Sequence, residues 1–184
     1  MKVHEVTAAK KVAGAQAFFG QYIHDDSVKY VFSPQQASDL GIQSHLRVCY
    51  DLNGIVGAAH FTTPFEDAKQ ALDSGAPEAL VVEFLRKYRM LYNLAVREDM
   101  RGQGIGTALL DAVDAGARTQ GADAVIGIAD GDLARLERFY SRHGYQVLPV
   151  GASLCLDVRG DRMVFPIDIV PGKEVQWFRK LLQH

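Results

Sequence analysis

The sequence predicts a mixed α/β fold with a parallel strand pair at the centre of its sheet. Three observations carry this expectation. Residues 90–150 alternate strand, helix, strand, helix, strand, an order that joins parallel strands through helical crossovers. Residues 46–61 read LRVCYDLNGIVGAAHF, where Asn53-Gly54 is a hairpin signal between two runs that fit antiparallel strands. A length of 184 residues with 48% hydrophobic content suits one core, and no repeat, linker or low-complexity segment divides it.

In chain order, residues 2–6 alternate weakly and read as a first strand. Thr7 is placed to cap a helix running to about Tyr22, with Val12, Ala15, Phe18 and Phe19 at helical spacing. The polar stretch His24–Ser27 and the apolar run VKYVF follow. Ser33-Pro34 then turns into a short helix around Gln35–Asp39. After the hairpin, residues 62–78 are polar and rich in Gly, Pro and Ala, with FEDAKQAL as a short helix. Residues 79–87 read as a further helical or extended piece. So long a connection is a candidate substrate wall.

MLYNLAV at 90–96 is a strand, and TALLDAVDAGARTQG is a helix with Ile105, Leu109 and Val113 on one face and Gly121 as its stop. DAVIGIAD at 123–130 is the next strand. A helix marked by Leu133, Leu136, Phe139 and Tyr140 ends near His143-Gly144, and Tyr145–Val150 is the strand after it. The tail offers the strands SLCLDV and RMVFPIDI, joined at Gly160-Asp161, with Pro166 pushing the second toward an edge. GKEVQWFRKLLQH reads as a short amphipathic helix through Val175, Phe178, Leu181 and Leu182.

Twenty basic and twenty-two acidic residues give a net charge of -2, which disfavours a nucleic-acid partner. No stretch approaches the roughly 20 apolar residues that cross a bilayer, and the N-terminal residues lack a secretory pattern, so no membrane partner is expected. Cys49 and Cys155 sit in apolar runs without metal spacing. Two buried free thiols in a reducing, cytoplasmic setting, and no metal, are the expectation.

The segment richest in chemistry is Arg101-Gly102-Gln103-Gly104-Ile105-Gly106-Thr107, between a strand and a helix. Its glycines permit tight backbone geometry, and its amides lie at the positive end of the helix dipole. That arrangement suits a pyrophosphate, with the Arg101 guanidinium and the Thr107 hydroxyl as added donors. A P-loop is excluded because no Gly-Lys-Ser/Thr follows, and the third glycine is misplaced for a dinucleotide fingerprint. A turn that merely needs glycines is the competing reading.

LAVREDMRGQGIGTALL resembles the coenzyme-binding motif of the GCN5-related N-acetyltransferase (GNAT) superfamily: Arg or Gln, two residues, Gly, one residue, Gly or Ala, filled here by Arg101, Gly104 and Gly106. LERFYSRHGYQVL resembles the later helix and strand of that family, through Phe139-Tyr140 and Gly144-Tyr145. The resemblance covers residues 90–150. It implies a mixed, mostly antiparallel central sheet with a parallel central pair and flanking helices. With no linker in the sequence, the expectation is one acetyltransferase domain over 1–184, with a coenzyme-binding core at 90–150 by the resemblance and C-terminal strands and helix at 153–184 that the resemblance does not assign.

By that resemblance, acetyl-CoA is the acyl-donor substrate and an amine is the acceptor. Backbone groups of Leu94, Ala95 and Val96 pair with the pantetheine arm. Amides of Arg101, Gly102, Gln103, Gly104, Ile105, Gly106 and Thr107 hold the pyrophosphate. Tyr140 stands near the thioester sulfur, as both a coenzyme-binding and a catalytic residue. Relatives often have Asn and Ala where Leu133 and Leu136 stand here. Members of the family are monomers or homodimers. Alternative readings are a toxin-type aminoacyl-tRNA acetyltransferase and a non-catalytic acyl-CoA-binding regulatory module.

No motif carries the general base. Glu83, just before the central strand, and Asp130, at the end of the next strand, are the candidate carboxylates. Tyr92 is placed to orient water. The plainer readings are a solvated helix charge for Glu83, a helix cap for Asp130 and a core or rim aromatic for Tyr92. His60 either faces the substrate or makes one structural hydrogen bond. The RKYR cluster at 86–89 suits an acidic substrate or phosphates, against a solvated face. Trp177 closes a pocket or docks the tail.

Overall fold

The computed structural model describes residues 2–23, 26–158, 160–165 and 174–183. In chain order the elements are β1 (Val3–Glu5), α1 (Ala9–Phe19), α2 (Pro34–Asp39), β2 (Ser44–Asp51), β3 (Gly54–Thr62), α3 (Phe65–Asp73), α4 (Glu78–Lys87) and β4 (Tyr88–Val96). There follow α5 (Ile105–Thr119), β5 (Ala124–Asp130), α6 (Leu133–Arg142), β6 (Gln146–Val147), β7 (Leu154–Val158), β8 (Asp161–Phe165) and β9 (Val175–Leu181). The fold is mixed α/β, with a central, mostly antiparallel sheet, one parallel pair and flanking helices. Its contacts gather into two compact units, Met1–Thr63 with Leu91–Thr119, and Pro64–Met90 with Gln120–His184.

In the first unit, β1, β2 and β3 pair antiparallel in that order. The hairpin forms as expected, but its turn residues are Leu52 and Asn53, since Asp51 already pairs with Gly54. The Asp51 carboxylate accepts the Asn53 N–H at 2.7 Å and closes the turn. A register shift between Cys49 and Tyr50 absorbs the displacement. Ser33 caps α2 in a reciprocal capping box with Gln36. Thr7, in contrast, does not cap α1. The N-cap is Ala8, without a side-chain bond, because the Val6 N–H is still held by the Leu46 carbonyl at 3.0 Å and the helix starts later. Val12, Ala15, Phe18 and Phe19 bury against Leu46, Val48 and Ala58 as their spacing predicts.

In the second unit, β9 lies between β5 and β6 and is antiparallel to both. Two expectations are corrected here. The tail segment read as an amphipathic helix is the strand β9, with Val125 opposite Lys180 and Ala129 opposite Gln176. Its Val, Trp and Phe content favours a strand, and its pairing partner lies about fifty residues back, which local periodicity does not register. The strand expected over 145–150 shrinks to Gln146–Val147 and pairs with β9, so it runs in the same direction as β5 but is separated from it by the antiparallel β9. β7 and β8 form a separate antiparallel hairpin. The expectations for His24 and for Pro166 and the residues after it lie outside the described residues.

Candidate active site

The glycine turn belongs to the first unit. β4 ends at Val96, and the next amide, Arg97 N–H, donates to the Val56 carbonyl at 2.9 Å. The Arg97 guanidinium bridges Asp51 at 2.9 Å and Asp99 at 2.7 Å. The Asn53 amide, with Arg97, holds the Asp51 carboxyl below its ordinary range, and the Arg97 hydrogen bond does the same for Asp99. These contacts tie the hairpin tip to the chain leaving the strand. One 3₁₀ turn over Glu98–Met100 follows.

Arg101, Gly102, Gln103 and Gly104 are exposed. Gly102 and Gly104 have φ of +77° and +78°, a region that residues with a Cβ rarely adopt. A Cβ at either position would meet nothing within 4 Å, so these glycines are required by backbone conformation and not by space. Ala108 N–H donates to the Gly104 carbonyl at 3.0 Å, which starts α5. A helix leaves its first N–H groups without intrahelical acceptors, and at this end they include those of Gly104, Ile105 and Gly106.

What seats this helix end escaped the sequence reading. A Cβ on Gly57 of β3 would stand 2.7 Å from Ile105 Cγ2 and 3.0 Å from Leu109 Cδ1. A Cβ on Gly116, near the other end of α5, would stand 2.7 Å from Phe61 Cζ. Two glycines therefore let α5 lie directly on the hairpin, and Ile105 is buried while the turn before it stays exposed. Of the expected anion ligands, Arg101 is turned onto its own loop. Its Nε donates to the Val96 carbonyl at 3.2 Å, and its Nη1 lies 3.4 Å from the Glu98 carboxylate. Ala95 is buried, while Leu94 and Val96 are half-buried.

His60 and Tyr92 also belong to this unit. His60 is fully buried and its Nε2 lies 2.9 Å from Ser44 Oγ. Burial pushes its pKa down to about 3, so the ring is neutral when folded. Its ring stacks on Tyr92, which also meets Tyr30. One hydrogen bond in a buried aromatic setting is the structural alternative among the two expected for His60.

Tyr140, Glu83 and Asp130 belong to the second unit. Tyr140 is 5% exposed, with its ring stacked on Phe178 at 3.9 Å between centroids. Tyr145 meets it edge-on at 5.7 Å. Burial raises the phenol well above its ordinary pKa, so Tyr140 keeps its proton and is available as a hydrogen-bond donor. Glu83 is not the solvated charge of the plainer reading. It is 6% exposed and its carboxylate accepts from Arg86 Nη2 at 2.8 Å. Asp130 is exposed at the end of β5, and it is Asp132 that caps α6, accepting the Arg135 N–H at 3.1 Å.

The RKYR cluster is solvated only in part, with Arg86 exposed, Lys87 half-buried and Tyr88 and Arg89 buried, and its cations are engaged. Arg86 holds Glu83, Lys87 holds Asp123, and Arg89 is 3% exposed. The Arg89 guanidinium donates to the Leu85, Arg86 and Tyr88 carbonyls and to Gln120, closing the C-terminal end of α4. Cys49 is buried and its thiol pKa raised by burial, which suits packing. Cys155 is only half-buried, contrary to expectation, and its sulfur accepts from Arg162 Nη2 at 3.1 Å. Trp177 is buried within β9. Among the described residues no group of three or more His, Cys, Asp or Glu side chains is placed to hold a metal ion, and no helix is long and apolar enough to cross a membrane.

Residues 43–147 match the profile of the acetyltransferase (GNAT) domain. Comparison of the sequence with curated proteins gives no match. Among solved structures, the chain resembles a ribosomal-protein-alanine N-acetyltransferase from Brucella melitensis, at 13% identity and a TM-score of 0.63, over 99% of this chain and 100% of that one. It resembles YncA from Salmonella typhimurium, solved with its cofactor acetyl-CoA, at 15% identity and a TM-score of 0.61, over 100% and 96%. A GNAT family acetyltransferase from Elizabethkingia anophelis with acetyl-CoA bound follows at 13% identity and a TM-score of 0.58, over 98% and 97%. At these identities the likeness is one of fold.

Proposed function

Because the chain belongs to the acetyltransferase (GNAT) family, we propose that it is an acetyl-CoA-dependent N-acetyltransferase that moves the acetyl group directly onto a primary amine of a small molecule or a protein. The observation that carries this reading is the exposed turn at 101–104, with two glycines at positive φ, leading into a helix end pressed onto Gly57. Backbone donors that open to solvent at the positive end of a helix suit a pyrophosphate. Two structures of the same fold were solved with acetyl-CoA, which supports this choice of donor.

In this reading the amides of Arg101–Thr107 hold the donor's pyrophosphate, and the backbone of Leu94, Ala95 and Val96 holds its arm. Arg101 then serves by fixing the turn to the Val96 carbonyl more than by direct charge. The neutral amine attacks the thioester carbonyl carbon, a carbon–nitrogen bond forms and the carbon–sulfur bond breaks. Tyr140, which burial keeps protonated, donates a hydrogen bond from its phenol to the departing thiolate, and the thiolate takes its proton from solvent. Asp130, exposed at a strand end, or water takes the proton that the amine loses. Glu83 is the weaker base candidate, since its carboxylate is engaged with Arg86.

We read the chain as one acetyltransferase domain, a monomer or homodimer acting in the cytoplasm. The two free cysteines support that compartment. The test is a panel of small amines and N-terminal peptides with acetyl-CoA, read by thiol release. Release that depends on an amine supports transfer. Tight acetyl-CoA binding without amine-dependent release from any panel member counts for the regulatory-module reading instead.

A further inference from the structure

Gln176 on β9 has a buried side-chain oxygen, Oε1, with no hydrogen-bond partner among the described residues, and the residue is 7% exposed. Its surroundings follow from the register. Alternate residues of a strand share a face, so Gln176 lies on the same face as Phe178, whose ring stacks on Tyr140 of α6. Lys180, the next residue on that face, donates from Nζ to the His143 carbonyl at 2.7 Å. Later residues of β9 thus meet later residues of α6, and the two elements run parallel. Two strand residues advance about 6.7 Å and one helical turn about 5.4 Å. Gln176 therefore falls level with the turn before Tyr140, where the inward residues are Leu136 and Leu133, which carry no polar side-chain atom. Opposite it on β5 is Ala129, whose methyl does not screen it.

A buried amide oxygen without a partner destabilises a fold, and an apolar side chain of the same size would serve packing better. Among the described residues no partner holds its carboxamide oxygen. We propose that Gln176 is a donor-binding residue whose Oε1 accepts the N–H of the secondary amide nearest the thiol in the acyl donor's arm. This rests on the reading of acetyl-CoA as donor and of Tyr140 as the group at its sulfur. In that arm the first amide nitrogen is two methylenes from the sulfur. A group serving the sulfur and a group serving that amide must then be close neighbours along the same elements, as Tyr140 and Gln176 are along α6 and β9.

The test compares acetyl-CoA with adenosine 3′,5′-bisphosphate, which lacks the arm, by titration calorimetry on the unmodified protein and on Gln176→Met and Gln176→Leu. Both variants should bind acetyl-CoA about 10-fold more weakly, the loss expected for one buried hydrogen bond. Both should bind the bisphosphate unchanged and melt at or above the unmodified protein. Unchanged acetyl-CoA affinity in either folded variant overturns the proposal. So does an equal loss for both ligands with a lowered melting temperature in both variants, which marks Gln176 as structural. If the unmodified protein binds neither ligand, the reading of acetyl-CoA as donor fails, and this proposal with it.

Discussion

Replacing Gly104 by valine is expected to weaken acetyl-CoA binding while the protein stays folded. The cause is backbone conformation. Gly104 has φ of +78°, and a Cβ there would meet no atom within 4 Å. Holding an L-residue in the left-handed region costs about 1–2 kcal/mol, and more when it is β-branched. The turn is exposed, so a substituted loop can relax to negative φ when free and must return to present its amides to the pyrophosphate. The strain then appears in the binding constant, as a weakening of about 5- to 30-fold, since 1.4 kcal/mol is a factor of ten. Asparagine visits the left-handed region more readily than alanine. Gly104→Asn should therefore lose about 3-fold or less, Gly104→Ala more, and Gly104→Val most. Size alone would put asparagine after alanine, so the order of those two separates conformation from crowding. Titration calorimetry at fixed salt, beside thermal melting, reads both quantities. Unchanged affinity in folded Gly104→Val refutes the loop assignment, and a larger loss in Asn than in Ala refutes the conformational account.

Gly57→Ala should destabilise the protein by about 1–2 kcal/mol, because the new methyl would press on Ile105 and Leu109. Combined with Ile105→Ala, which is itself destabilising because Ile105 is buried, the loss should be smaller than the sum of the two single losses, and strict additivity in denaturant melts would show that the two sites do not touch. Tyr140→Phe keeps the ring stacked on Phe178 and deletes the phenolic donor. It should lower kcat by roughly 10- to 100-fold with little change in acetyl-CoA affinity or melting, and full kcat would refute the leaving-group role. His60 is neutral when folded, with a pKa of about 3 against an ordinary 6.5, so between those values the unfolded chain binds more protons. Stability should therefore fall as pH drops below 6.5, by about 3 kcal/mol at pH 4 from this group. His60→Gln should flatten that part of the curve, and an identical pH profile would refute it.

The elements whose signals are local were legible in the sequence. Ser33-Pro34 marks the start of a short helix, and α2 begins there. The apolar spacing of Val12, Ala15, Phe18 and Phe19 and of Ile105, Leu109 and Val113 marks the buried faces of α1 and α5. The glycine turn at 101–106 and the helix it opens could be read, because positive φ and a helix start depend on neighbours in sequence. What failed depends on distant partners. β9 carries apolar residues at a spacing that a helix also satisfies, and only a strand partner fifty residues away decides between them. Glu83 reads as a surface charge until the fold buries it beside Arg86, and Arg89 reads as a free cation until the end of α4 turns its carbonyls onto it.

The sequence by itself determined the family, the class of the fold and the candidate donor-binding loop, since each is written in a contiguous run of residues. Tertiary structure decided what surrounds them. Gly57 and Gly116 matter only because α5 lies on the hairpin, and Gln176 is conspicuous only because the fold buries its amide oxygen without a partner among the described residues. A side chain's environment is set by residues remote in the chain. Its burial, and with it the pKa of His60 or Tyr140, follows from the assembled fold and not from the letters beside it.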